Sequence, residues 1–175
     1  GCMISGLNRQ VFTQISYGLY IVTSHLDGKL NGQIVNTVLQ VTSEPPRVAV
    51  IINKNNLTHE FISKSKVFGA SVLDTSTPMT FIGLFGFKSG RNEDKLSKAQ
   101  FVQGTTGAPL VTQHCISVLE AKVIDEVDVG THTLFVGDVV AAEVLRSGEP
   151  LTYAYYHTHL KGKSPKTAPT YNPEK

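Results

Sequence analysis

With 175 residues and 16 basic against 14 acidic side chains, a net charge of +2, the chain is long enough for one domain whose core needs no covalent staples. Basic and acidic residues are interspersed and form no arginine-rich stripe, which argues against a nucleic-acid partner. No apolar run approaches a membrane span and no signal-peptide pattern precedes the first element, so a cytoplasmic protein without a membrane partner is expected.

Gly1-Cys2 before Met3 reads as an expression remnant. Asn8 then caps a short helix over residues 8 to 16, with Val11, Phe12 and Ile15 at helical spacing, suited to plugging one end of a barrel. Tyr17 to Leu26 is predicted as a strand, and Asp27-Gly28 as a hairpin turn into a second strand from Lys29 to Val41. Pro45-Pro46 stops that run, because proline offers no ladder donor and restricts its predecessor. A strand from Val48 to Ile52 follows, then a helix from Asn56 to about Lys64 and a strand from Val67 to Leu73.

Thr77 as N-cap with Pro78 at the first helical position predicts a helix over 78 to 85, ended by Gly86. Residues 87 to 94 form a polar loop that brings Lys88, Arg91 and Lys95 within reach of an anion. Gly104 and Gly107-Ala-Pro109 mark turns. Cys115 to Ile124 alternates with strand period, and Thr131 to Val140 is a further strand continuing past a bend to Leu145. From residue 161 to 175 the chain is basic and interrupted by proline, an extended arm outside a single domain of residues 1 to 160. Six or seven short strands with few helices indicate a mainly β, closed antiparallel barrel.

Cys2 and Cys115 are far apart and lack metal-site spacing, so no metal site is expected, and Cys115 suits a small buried residue. The densest polar cluster is Asn53, Lys54, Asn55, Asn56, Thr58 and His59, delivered by the Val48–Ile52 strand to the start of a helix. An ammonium beside a helix N-terminus is a place for an anion, most simply a phosphate; a solvated loop with an ordinary cap has the same composition. Lys88 and Arg91 share both readings.

Gly32-Gln-Ile-Val-Asn-Thr-Val38, the Ser43-Glu-Pro-Pro46 turn and Asn53-Lys54 with Thr58-His59 resemble the flavin-binding core of the flavin reductase-like, FMN-binding split-barrel family. The branch with NAD(P)H-dependent ferric reductases and the flavin domains of high-molecular-weight rubredoxins is most similar. Ser16 to Ser24, Thr77 to Gly83, Gly130 to Gly137 and Leu151 to His157 extend the likeness over nearly the whole chain. It implies a Greek-key split barrel of about six strands that binds FMN, takes hydride from NADH or NADPH and works as a homodimer. Electrons would pass to free flavin, a ferric chelate or a rubredoxin-like protein. The alternative is a flavoredoxin-like FMN carrier reduced by a partner protein.

Carried over by position, Gln33, Val35, Asn36, Thr37 and Val38 lie along the isoalloxazine and ribityl chain. Asn53, Lys54, Thr58 and His59 lie near the phosphate, with Asn56 and Lys88 as further candidates from their own residue types. Where the family commonly has a small residue and a serine, this chain has Val35 and Thr37. Without the resemblance, Asn36 and Thr37 would merely satisfy neighbouring backbone groups. The resemblance also sets His132, in Gly130-Thr-His-Thr133, near the nicotinamide. Tyr153, Tyr155 and Tyr156 could cover a flavin edge, a dimer contact or a core lid.

Overall fold

The computed structural model describes residues 4 to 168 and 170 to 173; the reading of Gly1-Cys2 lies outside them. Nine strands and three α-helices follow in order: β1 (Tyr20–Leu26), β2 (Lys29–Val35), β3 (Val38–Thr42), β4 (Arg47–Asn53), α1 (Leu57–Ser65), β5 (Val67–Leu73), α2 (Met79–Gly86), β6 (Phe101–Gln103), β7 (Pro109–Val111), β8 (Cys115–Asp128), β9 (His132–Val144) and α3 (Tyr153–Thr158). Seven strands form one antiparallel sheet in the order β2-β1-β5-β8-β9-β4-β3, and β6 and β7 form a separate ribbon.

Local chemistry accounts for most boundaries. Asp27 and Gly28 take φ of 51° and 78°, the left-handed pair that a two-residue hairpin requires. Lys66, with φ of 63°, ends α1 and donates its N–H to Ile62 O. Helix α2 begins one residue later than expected. The Thr77 hydroxyl donates to Asp74 O instead of capping, and the extended Pro78 supplies the first carbonyl.

The expected continuous strand from Lys29 to Val41 is broken at Asn36–Thr37. Strand β2 pairs with β1 and β3 pairs with β4, so the two edges of the sheet are consecutive in the chain. Thr37 makes the change of partner: its carbonyl accepts from Ile51 N at 3.2 Å and its hydroxyl donates to Ile51 O at 3.3 Å. This corrects the closed six-stranded barrel, because a two-residue corner joins the edges where a ladder would have closed them. Helix α1 stands at that seam. Its Ile62 shares a buried cluster with Val22, Val35, Val50, Ile52, Phe68 and Phe135.

A second buried cluster joins Leu19, Ile21 and Leu73 to Phe81, Ile82 and Phe85 of α2 and to Leu151 and Tyr156. Strand β1 is therefore buried on both faces, with Ile21 in one cluster and Val22 in the other. Residues Arg9–Thr13 form a 3-10 turn capped by the Asn8 side chain, but the turn plugs nothing. Val11, Phe12 and Ile15 are 51%, 42% and 50% exposed, since so short a turn sets no continuous apolar stripe against the sheet. Cys115 is buried, and burial pushes its thiol up to about 12, so it packs as an inert apolar group. Among the described residues no helix is long and apolar enough to cross a membrane.

Candidate functional site

A cavity of about 290 Å³ opens at the seam between β2 and β4. Gln33, Ile34, Val35 and Asn36 form one side, and Ile51, Asn53, Asn55, Asn56 and Leu57 the opposite side. Ile82, Phe85 and Gly86 of α2 supply an apolar floor, and the following loop adds Phe87, Lys88, Ser89 and Gly90. Tyr153 and Tyr156 of α3 and residues 163 to 168 complete the wall.

Asn36 is 5% exposed, and its Nδ2 donates to Thr170 Oγ1 at 2.5 Å. Its Oδ1 has no partner, the one buried side-chain polar atom in that condition among the described residues. A buried acceptor left unmade costs about 1–3 kcal/mol, so a donor from a ligand would relieve it. Asn53 is fully engaged: Oδ1 accepts from Asn55 N at 2.8 Å and Nδ2 donates to Thr167 O at 3.2 Å.

Lys88, Lys95, Lys163 and Lys166 line the cavity, and no carboxylate does so among the described residues. Lys88 reaches Glu93, outside the lining, at 3.7 Å. Lys95 is only 3% exposed, and its Nζ donates to Gly32 O and Phe85 O, each at 3.1 Å. Burial pushes it down to about 8. Two carbonyl dipoles leave one of its three N–H groups and most of its charge uncompensated, so the site favours an anion. The start of α1, at Asn56 and Leu57, brings the positive end of a helix to the same cavity.

The structure divides the residues chosen from sequence. Gln33, Val35, Asn36, Asn53, Asn56 and Lys88 line the cavity. Thr37 and Val38 lie just beyond it, Thr37 holding the corner and Val38 packing on the interior cluster. Asn56 caps α1 by backbone position only, without a side-chain cap bond.

Lys54, Thr58 and His59 are not brought to the cavity. Lys54 pairs with Asp128 at 2.6 Å on the outside. Thr58 is buried behind β2 and accepts from Asn31 Nδ2 at 2.9 Å. His59 Nε2 meets Thr133 Oγ1 at 2.7 Å while its ring tilts against Phe135, and burial pushes its pKa below the ordinary histidine value. His132 is buried beneath the arm. Its Nε2 donates to Thr167 O at 2.9 Å, and its Nδ1 pairs with the Thr131 hydroxyl at 2.7 Å. It lines a more open depression with Thr131, Lys166 and Tyr171, which shares Ile51, Asn53, Lys166 and Ala168 with the cavity.

Two contributors are not among the site residues chosen from sequence. Lys95, at the end of the polar loop, stands in the sequence with Lys88 and Arg91 within reach of an anion, and its burial is what the sequence does not display; Arg91 itself pairs with Glu60 at 3.8 Å. The arm carried no local signal that it would return to the sheet. An apolar floor, an orphaned acceptor and a set of cations fit a flat heterocycle with an N–H edge and an anionic tail, the chemistry of a flavin nucleotide.

The flavin reductase like domain model matches residues 12 to 163. The chain is 55% identical over 162 residues to the ferric-chelate reductase (NAD(P)H) of Archaeoglobus fulgidus, covering 93% of this chain and 96% of the relative. It is 50% identical over 157 residues to the high molecular weight rubredoxin of Moorella thermoacetica, covering 90% and 69%. Among solved structures, the NADH:FAD oxidoreductase SgcE6 of Streptomyces globisporus C-1027 superposes with a TM-score of 0.75 at 25% identity, covering 82% of this chain and 85% of that one. The flavoredoxin of Methanosarcina acetivorans gives 0.73 at 25%, covering 85% and 81%. The chain belongs to the flavin reductase-like family, on the branch that holds the ferric-chelate reductase and the high molecular weight rubredoxin, and is a flavin oxidoreductase.

Proposed function

We propose that the cavity at the β2–β4 seam holds FMN and that the protein takes hydride from NADH or NADPH and passes electrons onward. The observation that carries this reading is the orphaned Oδ1 of Asn36, a residue that lines the cavity, an acceptor suited to the imide N–H of an isoalloxazine. When bound, the flavin supplies the electron sink for the hydride. The protein's part is to bind, orient and exclude water. Ile34, Ile51, Ile82 and Phe85 offer apolar contact, Gln33 and Asn36 polar contact to the ring edge, and Lys88, Lys95 and the start of α1 the positive field for one terminal phosphate.

His132 stands at the adjoining depression, where an imidazole donor can orient a nicotinamide once the Thr167 carbonyl gives way. Lys54, Thr58 and His59 support the wall of the site from outside. The relatives' names support a ferric chelate or a rubredoxin-like protein as acceptor. Exposed Val11, Phe12 and Ile15 support a homodimer, with a second copy covering them.

The test is the absorption spectrum of FMN-loaded protein during anaerobic addition of NADH and of NADPH. Bleaching of the flavin band is expected with at least one. Bound flavin that ignores both favours the second reading, a carrier reduced by a partner, to which the arm's hold on His132 Nε2 already lends support. Failure to bind FMN overturns both.

A further inference from the structure

The C-terminal arm is anchored at two ends. At its root Tyr156 Oη donates to Lys163 O at 2.9 Å and accepts from Lys163 N at 3.1 Å, while Gly162 N donates to Tyr156 O at 3.0 Å. At its tip Thr167 O accepts from both Asn53 Nδ2 and His132 Nε2, and Thr170 Oγ1 accepts from Asn36 Nδ2. The tip therefore rests on three side chains that reach it from the corner after β2, the end of β4 and the start of β9. Between its anchors the arm closes one side of the cavity and brings Lys163 and Lys166 to it. The cavity of about 290 Å³ lies near the lower bound of roughly 300–1,000 Å³ usual for ligand sites, with the arm as one of its walls.

We propose that this arm is the retaining wall of the cofactor site: Lys163 and Lys166 are binding residues for the ligand's anionic group, and the two anchors make the flavin a held group instead of an exchanged one. The proposal rests on the FMN reading above. A ligand in the cavity cannot leave on this side without releasing the arm, whereas its affinity for the floor is set by other residues. The arm therefore acts mainly on dissociation.

The full-length variant Tyr156→Phe/Thr170→Val loosens both anchors while keeping the ring of Tyr156 in the wall. Amide exchange over residues 162–168 reports whether the arm has loosened, and the fluorescence of released FMN after dilution gives the dissociation rate. Release is expected to be about 10-fold faster or more, with association changed far less. An arm that loosens while release stays unchanged overturns the proposal. Slower release overturns it too, because the arm would then compete with the ligand for Asn36, Asn53 and His132. A second full-length variant, Lys163→Gln/Lys166→Gln, should speed release of FMN and leave riboflavin release unaltered; no effect on FMN also overturns the proposal. If the unaltered protein takes up no FMN, the functional reading itself has failed, a result distinct from all of these.

Discussion

Asn36, which lines the cavity, and Thr170 stand 134 positions apart in the chain and meet through a 2.5 Å hydrogen bond. The Thr170 hydroxyl donates to Tyr153 Oη at 3.4 Å and accepts from Asn36 Nδ2. Oδ1 is thereby left buried without a partner. One bond thus ties the arm to the sheet corner and fixes which way the amide of this cavity-lining residue is turned.

Asn36→Leu removes a buried unsatisfied acceptor and fills similar volume. Loss of the Nδ2 bond to Thr170 offsets that relief, so the melting temperature of the apoprotein should change little, whereas FMN affinity should fall by about 1–3 kcal/mol, the value of a buried acceptor's lost partner. Thermal melts and FMN titration separate the effects. A lower melting temperature with binding intact would make Asn36 purely structural.

Lys95 predicts a pH dependence. Its folded value near 8 lies below the ordinary 10.5 because burial disfavours the charge. Between those values the unfolded chain keeps a proton that the folded chain has lost, so this residue's contribution to apoprotein stability rises with pH there. Below about 8 both states are charged and the burial penalty is full. An anionic ligand favours the charged form, so FMN affinity should weaken above about pH 8. Melts and FMN titrations of the original and Lys95→Met, at roughly pH 7 to 10, test this, with both slopes flattened in the variant.

Lys88 and Lys54 should part company. Lys88 lines the cavity, so Lys88→Ala should weaken FMN by about 10- to 100-fold and leave riboflavin nearly unchanged. Lys54 spends its charge on Asp128 at an exposed site, so Lys54→Ala should move FMN affinity by less than about threefold. Titrating each variant with both flavins decides; a larger effect at Lys54 would return the phosphate to the other side of α1.

His132→Ala should slow flavin reduction by NADH or NADPH by roughly 10-fold or more, the scale of lost orientation, and leave reduction by dithionite unchanged. Since Nε2 also holds Thr167 O, FMN release should quicken a few-fold without loss of saturation. Stopped-flow reduction of saturated proteins is the measurement. Equal rates with NAD(P)H would make His132 only an anchor for the arm.

The readings that depended on neighbours in sequence match the structure closely. Asp27-Gly28 makes its turn, Val67–Leu73 is a strand to the residue, α2 ends at Gly86, and the alternating run from Cys115 is a strand. Backbone sterics and hydrophobic period act within a few residues, so a sequence displays them directly. The family was legible for the same reason, through short motifs in a fixed order. What the chain could not display locally were choices between distant partners. Thr37 takes Ile51 and breaks the long strand, leaving the sheet edges unladdered. Lys54 takes Asp128 and leaves the cavity, while Lys95 follows two carbonyls into the interior. The arm returns to Asn36, Asn53 and His132 although its own residues look like a solvated tail. In each case a polar group had several acceptable partners of similar strength, and the packing of the whole sheet decided which one lay within reach.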